Sequence, residues 1–173
     1  MDFLELLKER YSCRSFSDKE VEKEKIDKIL EAAKVAPTAR NFQPQRILVL
    51  TEKETLGKLS ACTQYGWNAP VIMILFYDKS VSYKRDKYDN KEFGDIDISI
   101  VTTQMMLEAQ SLGLGTTWVG SFDPDKLIEA YEVPDNLVPV AILPIGYPSE
   151  EAKPSKLHFE RNDISEFVYW NKF

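Results

Sequence analysis

The chain has 173 residues, 43% of them hydrophobic and 29% charged, enough for one domain with its own core and unlike a disordered composition. Its net charge of −6 repels a phosphate backbone, and the densest basic run, Tyr83 to Lys91, is broken by Asp86, Asp89 and Asn90, so no nucleic-acid partner is expected. With two cysteines far apart (Cys13, Cys62), no signal-peptide pattern in MDFLELLKERY and no membrane-length apolar run, the expected setting is the cytoplasm, without a membrane partner.

A short helix opens the chain, with Asp2 placed to cap it, Phe3, Leu6 and Leu7 on one face, and an end near Arg10. Extended chain follows. A second helix is predicted from Glu22 to Val35, where Ile26, Ile29, Leu30 and Ala33 form one stripe, and Pro37 forces it to stop. Arg46 to Thr51 reads as a strand, and Glu54 to Thr63 as a weaker helix with Leu56 and Leu59 inward. The continuous β-prone run Val71 to Tyr77 predicts a central strand covered on both faces. Asp78 to Gly94 has no clear period and predicts a partly helical stretch or a mobile lid.

Ile96 to Leu112 carries the strongest helical pattern. Its apolar residues wrap most of the circumference, which predicts burial in a core or in a large subunit interface. GLGTTWVG predicts a tight turn into a short strand, and Asp123-Pro124 a helix start with a capping acid and proline at the first position. Leu137 to Ile145 is a strand whose Pro139 and Pro144 argue for an edge or bulged position. The tail, about 150–173, lacks a helical stripe yet carries Phe167, Val168, Tyr169, Trp170 and Phe173, so it either packs back on its own domain or reaches across a partner.

His158 is the only histidine, which argues against a His-based metal site and most Ser/Cys-His hydrolase chemistry. GLGTTW has Trp118 where a dinucleotide fingerprint needs its third glycine, and no phosphate-cradling P-loop motif occurs. That leaves chemistry carried by a bound cofactor. In Arg10-Tyr11-Ser12-Cys13-Arg14, extended geometry puts Arg10, Ser12 and Arg14 on one face. Two guanidinium forks and a hydroxyl suit a terminal phosphate, although the same residues also suit a solvated face with surface ion pairs.

RYSCRSF after a first helix resembles the opening of the nitroreductase family of FMN-dependent, NAD(P)H-using enzymes. AAKVAPTARNFQPQ, DISIVTTQMMLEAQSLGLGTTWVG and LPIGYP resemble further family segments in the same order, so the likeness covers nearly the whole chain. It implies an α+β domain spanning 1–173, with a mostly antiparallel central sheet surrounded by helices and completed by a homodimer partner that the C-terminal segment embraces. It also implies FMN at the subunit interface, NADH or NADPH as donor, and a nitroaromatic, quinone or similar small acceptor. Reductive dehalogenation or flavin breakdown by a family member, and a slow flavin carrier or redox sensor, are the alternatives.

Residue by residue, the resemblance assigns Arg10, Tyr11, Ser12 and Arg14 to the FMN phosphate and ribityl chain, and Pro37, Thr38, Ala39 and Asn41 to a flavin held by the other subunit. Thr117, Trp118, Val119 and Gly120 would line the ring, Gln104 stands where the family often has asparagine, and Lys156 and Arg161 compete for a C-terminal phosphate contact. Trp67, Trp118 and Tyr65 are candidates to flank the ring, and Asp97 is read as a helix cap. No protein side chain is assigned as catalytic.

Overall fold

A continuous apolar run placed at the middle of a sheet must be covered on both faces, and the computed structural model, which describes residues 2–173, shows how this is done. Val71–Asp78 forms the strand β2, buried along its full length. It lies between β1 (Gln45–Leu50) and β4 (Leu137–Gly146), antiparallel to both, and β3 (Gly115–Thr116) completes the order β1-β2-β4-β3. This is the expected α+β architecture.

Successive side chains of β2 point to opposite faces. Val71, Met73, Leu75 and Tyr77 pack with α2 (Lys23–Val35) and α4 (Gly94–Ser111) through Ile29, Ala33, Ile98, Val101, Met105 and Ala109. Ile72, Ile74 and Phe76 enter a second layer with Leu50, Leu59, Val119 and Leu127, under α3 (Lys53–Lys58) and α5 (Pro124–Ala130). Each of the larger aliphatic, Met and Phe side chains among these contributes roughly 1.5–3 kcal/mol relative to exposure.

α5 begins as expected, with Pro124 at its start and the Asp123 carboxylate accepting the Lys126 N–H. The opening helix, α1 (Phe3–Glu9), differs: Asp2 sits at the cap position without a side-chain cap bond, and Phe3 and Leu7 remain exposed. β4 also differs from a simple edge strand. It lies inside the sheet, but β3 pairs only with Ile145 and Gly146, and the ladder to β2 slips between Leu75 and Phe76, opposite Ala141 and Pro139. The prolines are tolerated because one flank is almost free and the other is bulged. Between Asp78 and Gly94, where β2 ends and α4 begins, there is no helix: the chain folds back as a turn-rich excursion closed by a Lys84–Glu92 bridge.

Two local features carry stability predictions. A Cβ added at Gly94 would be driven into the buried Tyr77 ring. Gly94→Ala is therefore expected to cost roughly 1–3 kcal/mol, visible as a lower urea midpoint with an unchanged slope. At the end of β2, the Asp78 carboxylate accepts bonds from the Ser80 N–H and hydroxyl and from Arg46 Nη2 at 3.0 Å. Those Ser80 bonds foremost, with Asn136 and Arg46 adding to them, hold its pKa down to about 2, from an ordinary 3.8. A carboxyl depressed on folding stabilises the protein above its unfolded pKa, and that contribution is lost as pH falls from about 4 toward 2. Thermal melts across this window should show an acid limb that is shallower in Asp78→Asn; identical limbs would mean that other carboxyls control it.

Candidate functional site

After α1, the chain runs extended beside the strand that follows α4. Ser12 forms a parallel bridge with Thr116, and the Cys13 N–H donates to the Thr116 carbonyl at 2.9 Å. This approach needs glycine: a Cβ on Gly115 would lie 2.7 Å from both Cβ and Sγ of Cys13. GLGTTW therefore performs two tasks. Gly113, at φ +76°, reverses the chain out of α4, and Gly115 lets the arginine-rich segment close against Thr116. The pairing sets the segment Arg10, Tyr11, Ser12 and Arg14 alongside Thr116, directly before Thr117, Trp118, Val119 and Gly120.

Within this cluster Arg10 is half-buried, and its Nη1 is sealed from solvent without a hydrogen-bond partner among the described residues. Burial, and then the nearby Arg161 charge, lower the Arg10 pKa. A half-buried cation with an unsatisfied donor, in the field of a second positive charge, is a favourable place for an anion. Arg161 is itself exposed, with its Nη1 donating to the carbonyls of Leu157 and Glu160. Between the two C-terminal candidates, the geometry brings Arg161 into the field of Arg10, whereas Lys156 is an exposed residue at the head of a short turn. That turn packs on the arginine segment through an edge-to-face contact of Tyr11 with His158, ring centroids 6.4 Å apart. The single histidine thus has an aromatic partner here.

Arg14 lies at the rim. It is exposed, with Nη1 reaching the Ser12 carbonyl only at 3.4 Å and its guanidinium 6.0 Å from the Trp67 ring centroid. Trp67 and Tyr65 stack at 5.5 Å and pack on the second core layer, which gives both a structural role. Cys13 is wholly buried; desolvation raises its pKa and the Ser15 carbonyl accepts its thiol, so it is not a poised nucleophile.

Pro37, Thr38, Ala39 and Asn41 are not in this cluster. Ala39 is fastened near the start of α4: its N–H donates to Asp97 Oδ1 at 2.9 Å, whereas Thr116 lies just beyond the end of α4. The stretch of helix from Asp97 to Ser111 spans about 20 Å, so within one chain the two groups stand toward opposite ends of α4. Gln104 lies between them, on an outward face of α4 where Asp95, Ile96, Ser99, Ile100 and Thr103 line a shallow concavity of about 570 Å³. Ile96 and Ile100 are over one-third exposed there, so the apolar circumference of this helix is only partly covered within the chain.

Asp97 is not a cap. Phe93 holds the cap position, and Asp97, in the first turn of α4, is 1% exposed and reaches across to the Ala39 backbone. Burial pushes its pKa up, and the bond from Ala39 partly opposes the shift. The available sequence signal was an acid inside an apolar stripe, one turn before Val101.

The profile of the Nitroreductase family matches residues 7–66 and 60–147. A nitroreductase family protein from Clostridium difficile 630 has the same fold with a TM-score of 0.94 and 44% sequence identity, covering 100% of both chains. An FMN-dependent nitroreductase from Clostridium difficile R20291 superposes with a TM-score of 0.80 at 31% identity, covering 98% of this chain and 99% of that one. An NAD(P)H-using FMN reductase from Bacillus subtilis is 29% identical over 168 residues, 87% of this chain and 68% of the relative.

Proposed function

The chain belongs to the nitroreductase family, and from that premise we propose that it is an FMN-dependent oxidoreductase that moves hydride from NADH or NADPH to a small acceptor such as a nitroaromatic or quinone. The observation that carries this reading is the half-buried Arg10 guanidinium, with an unsatisfied donor, beside Arg161. An FMN phosphate dianion supplies what that pair lacks. The chemistry a bound FMN contributes is two-electron hydride acceptance and release, so the protein needs no nucleophile of its own.

The chain's residues then bind and orient. Arg10 and Arg161 hold the phosphate, with Ser12 beside them and Arg14 at the rim. Thr117 to Gly120 line one side of the ring, where Gly120 leaves the backbone approachable. Pro37, Thr38, Ala39 and Asn41 serve the site of a second copy, because their own chain holds them at the opposite end of α4. A homodimer packed through the Ile96–Ile100 face of α4, with the segment 150–173 embracing the partner, brings both sets together and covers Gln104. Among the described residues no helix is long and apolar enough to cross a membrane. Cys13 and Cys62 are both free thiols, which fits the cytoplasm.

The test is the visible spectrum of purified protein loaded with FMN and desalted, followed by steady-state NAD(P)H oxidation with and without an added acceptor. Flavin retained at about one per subunit, with parallel-line ping-pong kinetics from donor and acceptor sharing one flavin face, supports the proposal. Retained flavin without turnover above background favours a carrier, and a protein that takes up no FMN overturns the reading.

A further inference from the structure

A buried carboxylate is a costly way to hold one backbone amide, and Asp97 holds only that. Oδ1 accepts the Ala39 N–H at 2.9 Å; Oδ2 is sealed from solvent and has no partner among the described residues. The segment it grips is conformationally unusual. Arg40, Asn41 and Gln43 all have left-handed backbones, with φ of 54°, 57° and 53°, where residues other than glycine are uncommon. Inside the segment, the Asn41 N–H donates to the Thr38 carbonyl at 2.9 Å and the Gln43 N–H to Thr38 Oγ1 at 3.0 Å. Outside it, the Arg40 guanidinium lies 5.2 Å from the Tyr83 ring centroid. Strained turns persist where their surroundings over-determine them, and such turns cluster at ligand-binding sites.

We propose that Asp97 is a positioning residue for the flavin site: by holding the Ala39 amide from inside α4, it sets the left-handed turn 38–43 in the shape that meets the flavin ring of a partner subunit. The proposal rests on the reading that Pro37 to Asn41 approach a flavin. It also couples that contact to the dimer face, because Asp97 lies in the same first turns of α4 as the exposed Ile96 and Ile100. Burial already disfavours the Asp97 carboxylate, so replacing it with a neutral side chain should not by itself unfold the protein.

The experiment compares wild type, Asp97→Asn, which keeps an oxygen acceptor, and Asp97→Leu, which removes it. FMN and riboflavin affinities are measured by flavin-fluorescence quenching, and amide hydrogen exchange of the 37–44 segment is followed in flavin-free protein. Asp97→Leu should weaken both flavins about tenfold or more and by similar factors, because the turn faces the ring and not the phosphate. Exchange in 38–43 should quicken while the flavin-free melting temperature holds, and Asp97→Asn should restore affinity to within about threefold of wild type. If Asp97→Leu does not fold, Asp97→Ala removes the acceptor without crowding the site and carries the same comparison. Unchanged affinity and exchange in the variant, a loss confined to FMN, or a fall in melting temperature that accounts for the whole loss would each overturn the proposal. Wild-type protein that binds neither flavin overturns the parent reading and this proposal with it, a result distinct from a wild type that binds and a variant that does not differ.

Discussion

Arg10→Ala is expected to weaken FMN binding by about tenfold to a hundredfold while leaving riboflavin affinity unchanged. The asymmetry follows from where the guanidinium sits. Nη1 of Arg10 is shielded from solvent and has no hydrogen-bond partner among the described residues, so a phosphate oxygen meeting this guanidinium displaces no protein acceptor from Nη1. A hydrogen bond to a charged group contributes roughly 1.5–3 kcal/mol, and low solvent access places Arg10 toward the upper end. Arg14→Ala should cost less, because its head is exposed and rests near the Trp67 ring. Arg161→Ala should fall between them, and Lys156→Ala should change little. In the flavin-free protein the sign reverses: removing one of two neighbouring positive charges relieves repulsion, so Arg10→Ala should melt no lower than wild type. Equilibrium titration with FMN and riboflavin at fixed ionic strength checks the order. Equal losses for both ligands would place Arg10 away from the phosphate.

Arg10 also illustrates what could be read from the chain alone. That RYSCR runs extended, with Arg10, Ser12 and Arg14 at alternate positions, is a local property, and several local properties were legible: the Asp123-Pro124 helix start works over three residues, Pro37 stops α2 within two, and β2 announces itself in an unbroken apolar run. Some local readings missed, such as the Asp2 cap and the Asp78 to Gly94 stretch, but the misses that bear on the site are long-range. Asp97 and Ala39 are 58 residues apart, and no pattern near Asp97 says whether its carboxylate turns back to its own helix or across to another segment. Whether Lys156 or Arg161 reaches Arg10 depends on how the tail folds after Gly146, a matter of tertiary packing. For β4 the prolines correctly signalled an incomplete ladder, but the length of β3 decided where the incompleteness falls. Propensity is set by neighbours in sequence, and a site assembled from α4, two loops and the tail is set by neighbours in space.

Removing Asp163 to Phe173 is expected to convert a dimer into a monomer and to abolish FMN retention, although Arg161 remains in the shortened chain. The deleted stretch leaves Ile164, Phe167, Tyr169 and Trp170 at 56% exposure or more, and Phe173 entirely uncovered, within its own chain. An isolated soluble subunit has little reason to carry such a surface. Moving each of these side chains out of water contributes roughly 1.5–3 kcal/mol, so together they weigh heavily against the several kcal/mol that association costs in lost freedom. Two surfaces are uncovered within the chain: the outer edge of β1 has no strand beside it among the described residues, and a groove of about 1330 Å³ between α2 and α3 is lined by Ile26, Leu30, Val49 and Leu56. On the proposed function, the segment 37–41 and the segment 117–120 are the two halves of the flavin site; they stand toward opposite ends of α4, about 20 Å apart, and the dimer is what joins them. Light scattering gives the mass and desalting after FMN loading gives the retained flavin. A monomer without flavin confirms that the tail closes the dimer and that the dimer closes the site. A truncated protein that keeps both its mass and its flavin would show that the α4 face alone suffices. Truncation that lowers the melting temperature of a chain that is monomeric from the start would return the tail to its own domain.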